Sequence, residues 1–149
     1  MISCSQFKSF LEGDPTDPSD DMSPLCLCKS GEVSEWVYFI MRGTVNIMDK
    51  QCLYNYGMLG EGSCFGDISL LLDQPNQYSY YFNQRDVKPL LVLKVRAIDF
   101  ITICQRFPFS MEQMRKRALM KHKMFLSYKM TVLLKFMQTL SNAEQVVSK

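Results

Sequence analysis

A chain of 149 residues, 47% apolar and 21% charged, is long enough to bury one substantial core and too apolar to be disordered. Its net charge of +2 hides two unequal parts: residues 1–109 carry 9 Lys/Arg against 13 Asp/Glu, and residues 110–149 carry 8 against 2. A basic excess confined to one tail argues against a general nucleic-acid binder, and no run approaches the roughly 18–20 apolar residues that a membrane-crossing helix needs.

Residues 1–11 read as a short amphipathic helix with Phe7, Phe10 and Leu11 on one side. Residues 12–24 hold three Pro and four Asp and read as an acidic loop without calcium-loop spacing. From residue 25 the texture changes to short β-prone runs at 25–28, 36–41, 44–48, 52–58, 78–82 and 90–95, separated by turns such as Ser30-Gly31-Glu32 and Arg42-Gly43. Strands at such short intervals indicate a small sandwich or barrel, whereas a parallel α/β sheet needs long helices between strands, and none precede residue 97.

Residues 62–79 are the most informative stretch. Gly66 lacks the Cβ that would hold a ligand off the backbone, Asp67 supplies a carboxylate, and residues 68–72 begin a short helix whose first N–H groups suit an anion. No Arg or Lys lies between Lys50 and Arg85 to answer an anionic charge.

The chain then turns helical. Residues 99–107 form one helix that ends before Pro108, and Ser110 with Gln113 resembles the capping box of a second. That helix runs from Met111 to about Phe125, and an extension to Leu140 is compatible with the pattern. Leu126, Met130, Leu133, Met137 and Leu140 are spaced 4-3-4-3, a heptad seam of two repeats that leaves packing back onto the domain equally open. The basic run Arg115, Lys116, Arg117, Lys121 and Lys123 reads as a solvated face, and His122 as exposed and incidental.

The six cysteines, Cys4, Cys26, Cys28, Cys52, Cys64 and Cys104, fit no zinc spacing, and His122 is the sole histidine. Free thiols are expected, since the start of the chain lacks the pattern of a secretory signal. No nucleophile–base set can be assembled, so no catalytic residue, metal site or cofactor is expected.

Four ordered stretches carry a family resemblance. They are Cys28-Lys29-Ser30-Gly31-Glu32 through Trp36-Val37-Tyr38-Phe39-Ile40, then Met41-Arg42-Gly43-Thr44-Val45, then Leu59-Gly60-Glu61-Gly62-Ser63-Cys64-Phe65-Gly66-Asp67-Ile68-Ser69-Leu70-Leu71, and finally Val92-Leu93 through Asp99-Phe100 with Phe107-Pro108. Together they resemble the cyclic-nucleotide-binding domain of cation channels and kinase regulatory subunits. Met114-Arg115-Lys116-Arg117-Ala118 is similar to the channel type of final helix, and no helix-turn-helix follows to suggest a DNA-binding regulator.

The resemblance implies a mainly β fold with C-terminal helices, a double-stranded β-helix (jelly-roll) barrel. The division is residues 1–24 as N-terminal helix and loop, 25–125 as the β-roll with its closing helices, and 126–149 as a helical extension. It implies a nucleotide cassette built from Phe65, Gly66, Asp67, Ile68 and Ser69 together with Gln77, Tyr78 and Ser79, over which the last helix closes as a lid. In the family a Glu accepts the ribose 2′-OH, backbone N–H groups hold the phosphate and an Arg pairs with it. Here Asp67 stands in the Glu position, one methylene shorter, and reads equally well as a cap for the short helix. The Arg step falls on 76–79, where Gln77 offers only a neutral donor, which weakens binding roughly 30- to 150-fold.

The implied function is a non-enzymatic regulatory domain of a cation channel, on the cytoplasmic side of the membrane. Such a domain binds cAMP or cGMP weakly and couples lid movement to gating. The alternative is a homology module that has lost its ligand and serves as a structural or protein-interaction domain. The implied partners are a cyclic nucleotide and neighbouring channel subunits or domains, with no nucleic acid and no membrane span in this chain.

Overall fold

Alternating burial along short strands builds two sheets. The computed structural model describes the backbone of residues 6–10 and residues 26–83 and 85–148. Among these, eight strands pair antiparallel: β1 (Gln6–Phe10), β2 (Cys26–Cys28), β3 (Trp36–Arg42), β4 (Val45–Met48), β5 (Asn55–Leu59), β6 (Cys64–Phe65), β7 (Ser79–Phe82) and β8 (Leu90–Arg96). One sheet has the order β1-β8-β3-β6 and the other β2-β7-β4-β5. In β4, Val45 and Ile47 are fully buried while Asn46 and Met48 are half-buried, the period of two that gives a strand one inner face.

The inner faces meet in a single core. Ile40 from β3 and Leu90 and Val92 from β8 join Val45 and Ile47 from β4 and Tyr56 and Leu59 from β5. Aromatic stacking bridges the two sheets: Phe65 lies 4.8 Å from Tyr38 and 5.0 Å from Tyr80, ring centre to ring centre.

Three helices complete the described residues: α1 (Asp67–Leu71), α2 (Ala97–Gln105) and α3 (Pro108–Val147). The 40 residues of α3 make a rod of about 60 Å. Its inward side chains, Ala118 and Phe125, are fully buried in the core. Tyr128 lies over Gly57, where an added Cβ would come within 3.4 Å of its ring, and Phe136 meets Tyr54 edge-on at 5.6 Å.

The structure corrects several expectations. Residues 6–10 are a strand, not part of a helix. An isolated stretch of about eleven residues is too short to hold a helix in water, and the free edge of β8 captures residues 6–10, pairing Gln6 with Lys94 through Phe10 with Leu90. The remainder of the expected N-terminal helix and the acidic loop at 12–24 lie outside the described residues. The two-residue β6 went unforeseen, being too short to show a period. The last helix begins at Pro108 rather than Met111, because Pro suits the first helical turn; Ser110 lies inside it and caps nothing. It runs unbroken to Val147, through the extension to Leu140 that the pattern left open.

Candidate functional site

Gly66 makes the turn between β6 and α1. It adopts φ +83°, and an added Cβ would stand 2.5 Å from the Trp36 carbonyl oxygen, so only glycine lets the two backbones pass this closely. Phe65 precedes it in the core, and Ile68 is buried beyond it. Buried Ser69 donates to the Gly66 carbonyl at 3.3 Å and accepts from the Ser34 N–H at 3.4 Å. Asn76 donates to Ser34 Oγ at 2.8 Å, and its main chain bonds both Gly31 and Glu32. The turn is therefore tied through Ser34 to the segment leading into β7.

That segment holds the other three candidates. Gln77 is exposed, and its carbonyl accepts from Ser30 Oγ at 3.1 Å. Ser79 is buried and accepts from the Ser30 N–H at 3.0 Å. Tyr78 is buried, with its ring edge-on to Tyr56 and to Phe125 of α3 at 5.8 Å each. Arg85, the next cation along the chain, is exposed.

Asp67 is the first residue of α1 and caps nothing; its carboxylate is engaged elsewhere. Lys121 Nζ lies 2.7 Å from Asp67 Oδ1, donates to the Cys64 carbonyl at 2.8 Å and stands 3.4 Å from Cys64 Sγ. The lysine side chain is 17% exposed and the aspartate 10%, so the pair is shielded from water. Burial pushes the Cys64 thiol above its ordinary range, Asp67 adds to that rise, and Lys121 partly offsets it.

Sequence reasoning missed three participants, all on α3: Lys121, His122 and Phe125. Ala118, Lys121, His122 and Phe125 follow the spacing of one helix face, a signal hidden by the basic run around them. His122 is half-buried rather than exposed, and its Nδ1 is enclosed without a hydrogen-bond partner. It lines a narrow cleft with Ile68, Gln74, Asn76, Gln77, Tyr78 and Tyr80. The cleft measures about 10 Å³, the room of one water molecule. A larger cavity of about 210 Å³ is lined by Cys28, Glu32, Ser34, Trp36, Tyr38 and Asn76 and includes neither Asp67 nor α3. Among the described residues no cluster of His, Cys, Asp and Glu is suited to a metal, and no helix is long and apolar enough to cross a membrane.

No family model and no curated protein matches this chain. Solved structures do. The cAMP-bound PfPKA-R fragment 141–441 aligns at TM-score 0.56 and 16% identity, over 82% of this chain and 36% of that one. PKAR CBD2 bound to Sp-2Cl-cAMPS aligns at 0.57 and 16%, over 82% and 69%. The catabolite activator protein of Thermus thermophilus aligns at 0.56 and 19%, over 88% and 55%. The fold is that of cyclic-nucleotide-binding domains. The chain spans only about a third of the first of these relatives and about half of the third. In the cyclic-nucleotide-binding fold seen here, the carboxylate of the glycine turn faces a lysine from the chain's own final helix.

Proposed function

We propose that this chain is a non-enzymatic regulatory module of the cyclic-nucleotide-binding type whose site is held shut by its own lid helix. The jelly-roll cassette of that reading comprises Phe65, Gly66, Asp67, Ile68, Ser69, Gln77, Tyr78 and Ser79. The observation that carries it is the Lys121–Asp67 pair at 2.7 Å, backed by the Cys64 carbonyl. A ribose hydroxyl offers Asp67 a hydrogen bond but no opposite charge, whereas the ammonium already supplies both. With exposed Gln77 where a phosphate-pairing Arg would stand, cAMP or cGMP competes weakly. The cleft beside Tyr78 and His122 holds only about 10 Å³, well short of the roughly 300 Å³ of a small-molecule site, so in this reading α3 withdraws before a nucleotide enters. Movement of α3 is then the output, because ligand and lysine favour different positions of the helix. A place on the cytoplasmic side of a cation channel, beside its other subunits or domains, belongs to this reading through residues 114–118.

The second reading, a homology module that binds no nucleotide and works through protein contacts, is favoured by one observation. Phe125 and Tyr78 fill the space beside the turn with aromatic packing. Calorimetric titration of cAMP and cGMP into the parent chain, Gln77→Arg, Lys121→Met and the double variant separates the two. We expect no saturable heat from the parent below about 0.1 mM, a gain of binding in each single variant, and roughly 30-fold or more tightening in the double. Micromolar binding by the parent would show that Lys121 does not hold the site shut. A silent double variant would leave only the second reading.

A further inference from the structure

The length of α3 turns a short sequence pattern into a long one. Leu119, Leu126, Leu133 and Leu140 recur every seven residues, and Val147 continues the series at the end of the helix. Lys123, Met130, Met137 and Glu144 fall at the intervening positions, giving a continuous 4-3 stripe over four heptads and ~42 Å of helix. The stripe lies one residue, about 100° of rotation, from the inward series Ala118, Phe125 and Val132. It runs beside the domain rather than into it. Leu133 is half-buried, while Leu119, Leu126, Met130, Met137, Leu140 and Val147 are 43–86% exposed.

Packing on the domain does not account for the last turns of α3. Beyond Phe136 every described side chain is exposed, and Glu144 is the only charge among residues 137–147. A solitary segment of that length, containing Thr139, Ser141, Asn142 and two valines, is marginal as a helix in water. A partner covering the stripe removes the difficulty.

We infer that the partner is a second copy of this chain, joined along α3 as an antiparallel two-stranded coiled coil. The two charged seam positions decide the direction. In a parallel pair Lys123 faces Lys123 and Glu144 faces Glu144. In an antiparallel pair with Met130 opposite Leu133, Lys123 of each copy lies one layer from Glu144 of the other, and both ends of the seam gain a charge pair. This assignment stands apart from the ligand question, since Lys121 points inward and no seam residue lines the cleft.

Sedimentation equilibrium of the 149-residue chain tests it. We expect twice the 17.3 kDa chain mass. The variant Leu126→Glu with Leu140→Glu should be monomeric and still unfold cooperatively, since both side chains are exposed, with a midpoint lowered only to that of the parent diluted to monomer. Lys123→Glu alone and Glu144→Lys alone should each weaken association roughly tenfold, and combining them should restore it. A parent chain that is monomeric at ~100 μM, or a dimer that survives both Leu-to-Glu changes, overturns the inference. Tighter association in an equimolar mixture of Lys123→Glu and parent than in either alone marks a parallel pair and overturns the antiparallel assignment.

Discussion

A lysine ammonium has three donors, and all three of Lys121's meet an acceptor on the glycine turn: the Asp67 carboxylate, the Cys64 carbonyl and the Cys64 sulfur. Removing the cation leaves a shielded carboxylate without its partner. Lys121→Met should therefore cost about 3 kcal/mol in urea unfolding, and adding Asp67→Asn should recover most of it. If the double variant is no more stable than Lys121→Met, the ion pair is not what holds the helix there. A second residue-scale expectation concerns Cys28, whose thiol is pushed up from 9.0 to about 12, first by burial and against the lowering effect of its contact with Ser34. The unfolded thiol ionises near its ordinary value while the folded one stays protonated. Its contribution to stability is thus intact below about pH 9 and is lost as pH rises toward 12, by up to ~1.4 kcal/mol per pH unit. Cys28→Ala should flatten the alkaline limb of the stability profile; an unchanged slope would refute the assignment. Asp67 was legible in the sequence as a carboxylate in a glycine turn. Its partner was not, because nothing local distinguishes Lys121 from Lys123; helical phase against Ala118 and Phe125 does.

At the scale of elements, α3 is attached to the sheets mainly through Phe125, fully buried and edge-on to Tyr78, with Ala118 about two turns before it. Phe125→Ala should cost about 3–5 kcal/mol, measured by chemical unfolding, and should loosen α3 over the turn. A loss under about 1 kcal/mol would mean the helix is held elsewhere. The strands were readable because Val45, Ile47, Leu90 and Val92 alternate with less buried neighbours, and a half-buried strand leaves no other pattern. The segment at 6–10 was misread because its fate rests on a β8 edge 80 or more residues away, which no local window contains. The start of α3 was misplaced by weighing Pro108 only as a terminator, when the same residue is well suited to a first helical turn.

For the whole molecule, the two-sheet architecture and its closing helices were legible from spaced strands followed by helical periods, and the resemblance named the same fold as the solved structures. What remained hidden was how far the last helix extends and what it touches, since both depend on chain ends meeting surfaces assembled elsewhere. The described α3 contains no glycine, and its only proline is in the first turn, so nothing between Phe109 and Ser148 supplies a hinge. A stiff shaft of this kind cannot twist at one end alone. Whatever grips its outer flank and turns it by one residue's worth must carry the Lys121 amine off the aspartate, so a contact tens of ångströms away would act on the turn as a key acts on a bolt.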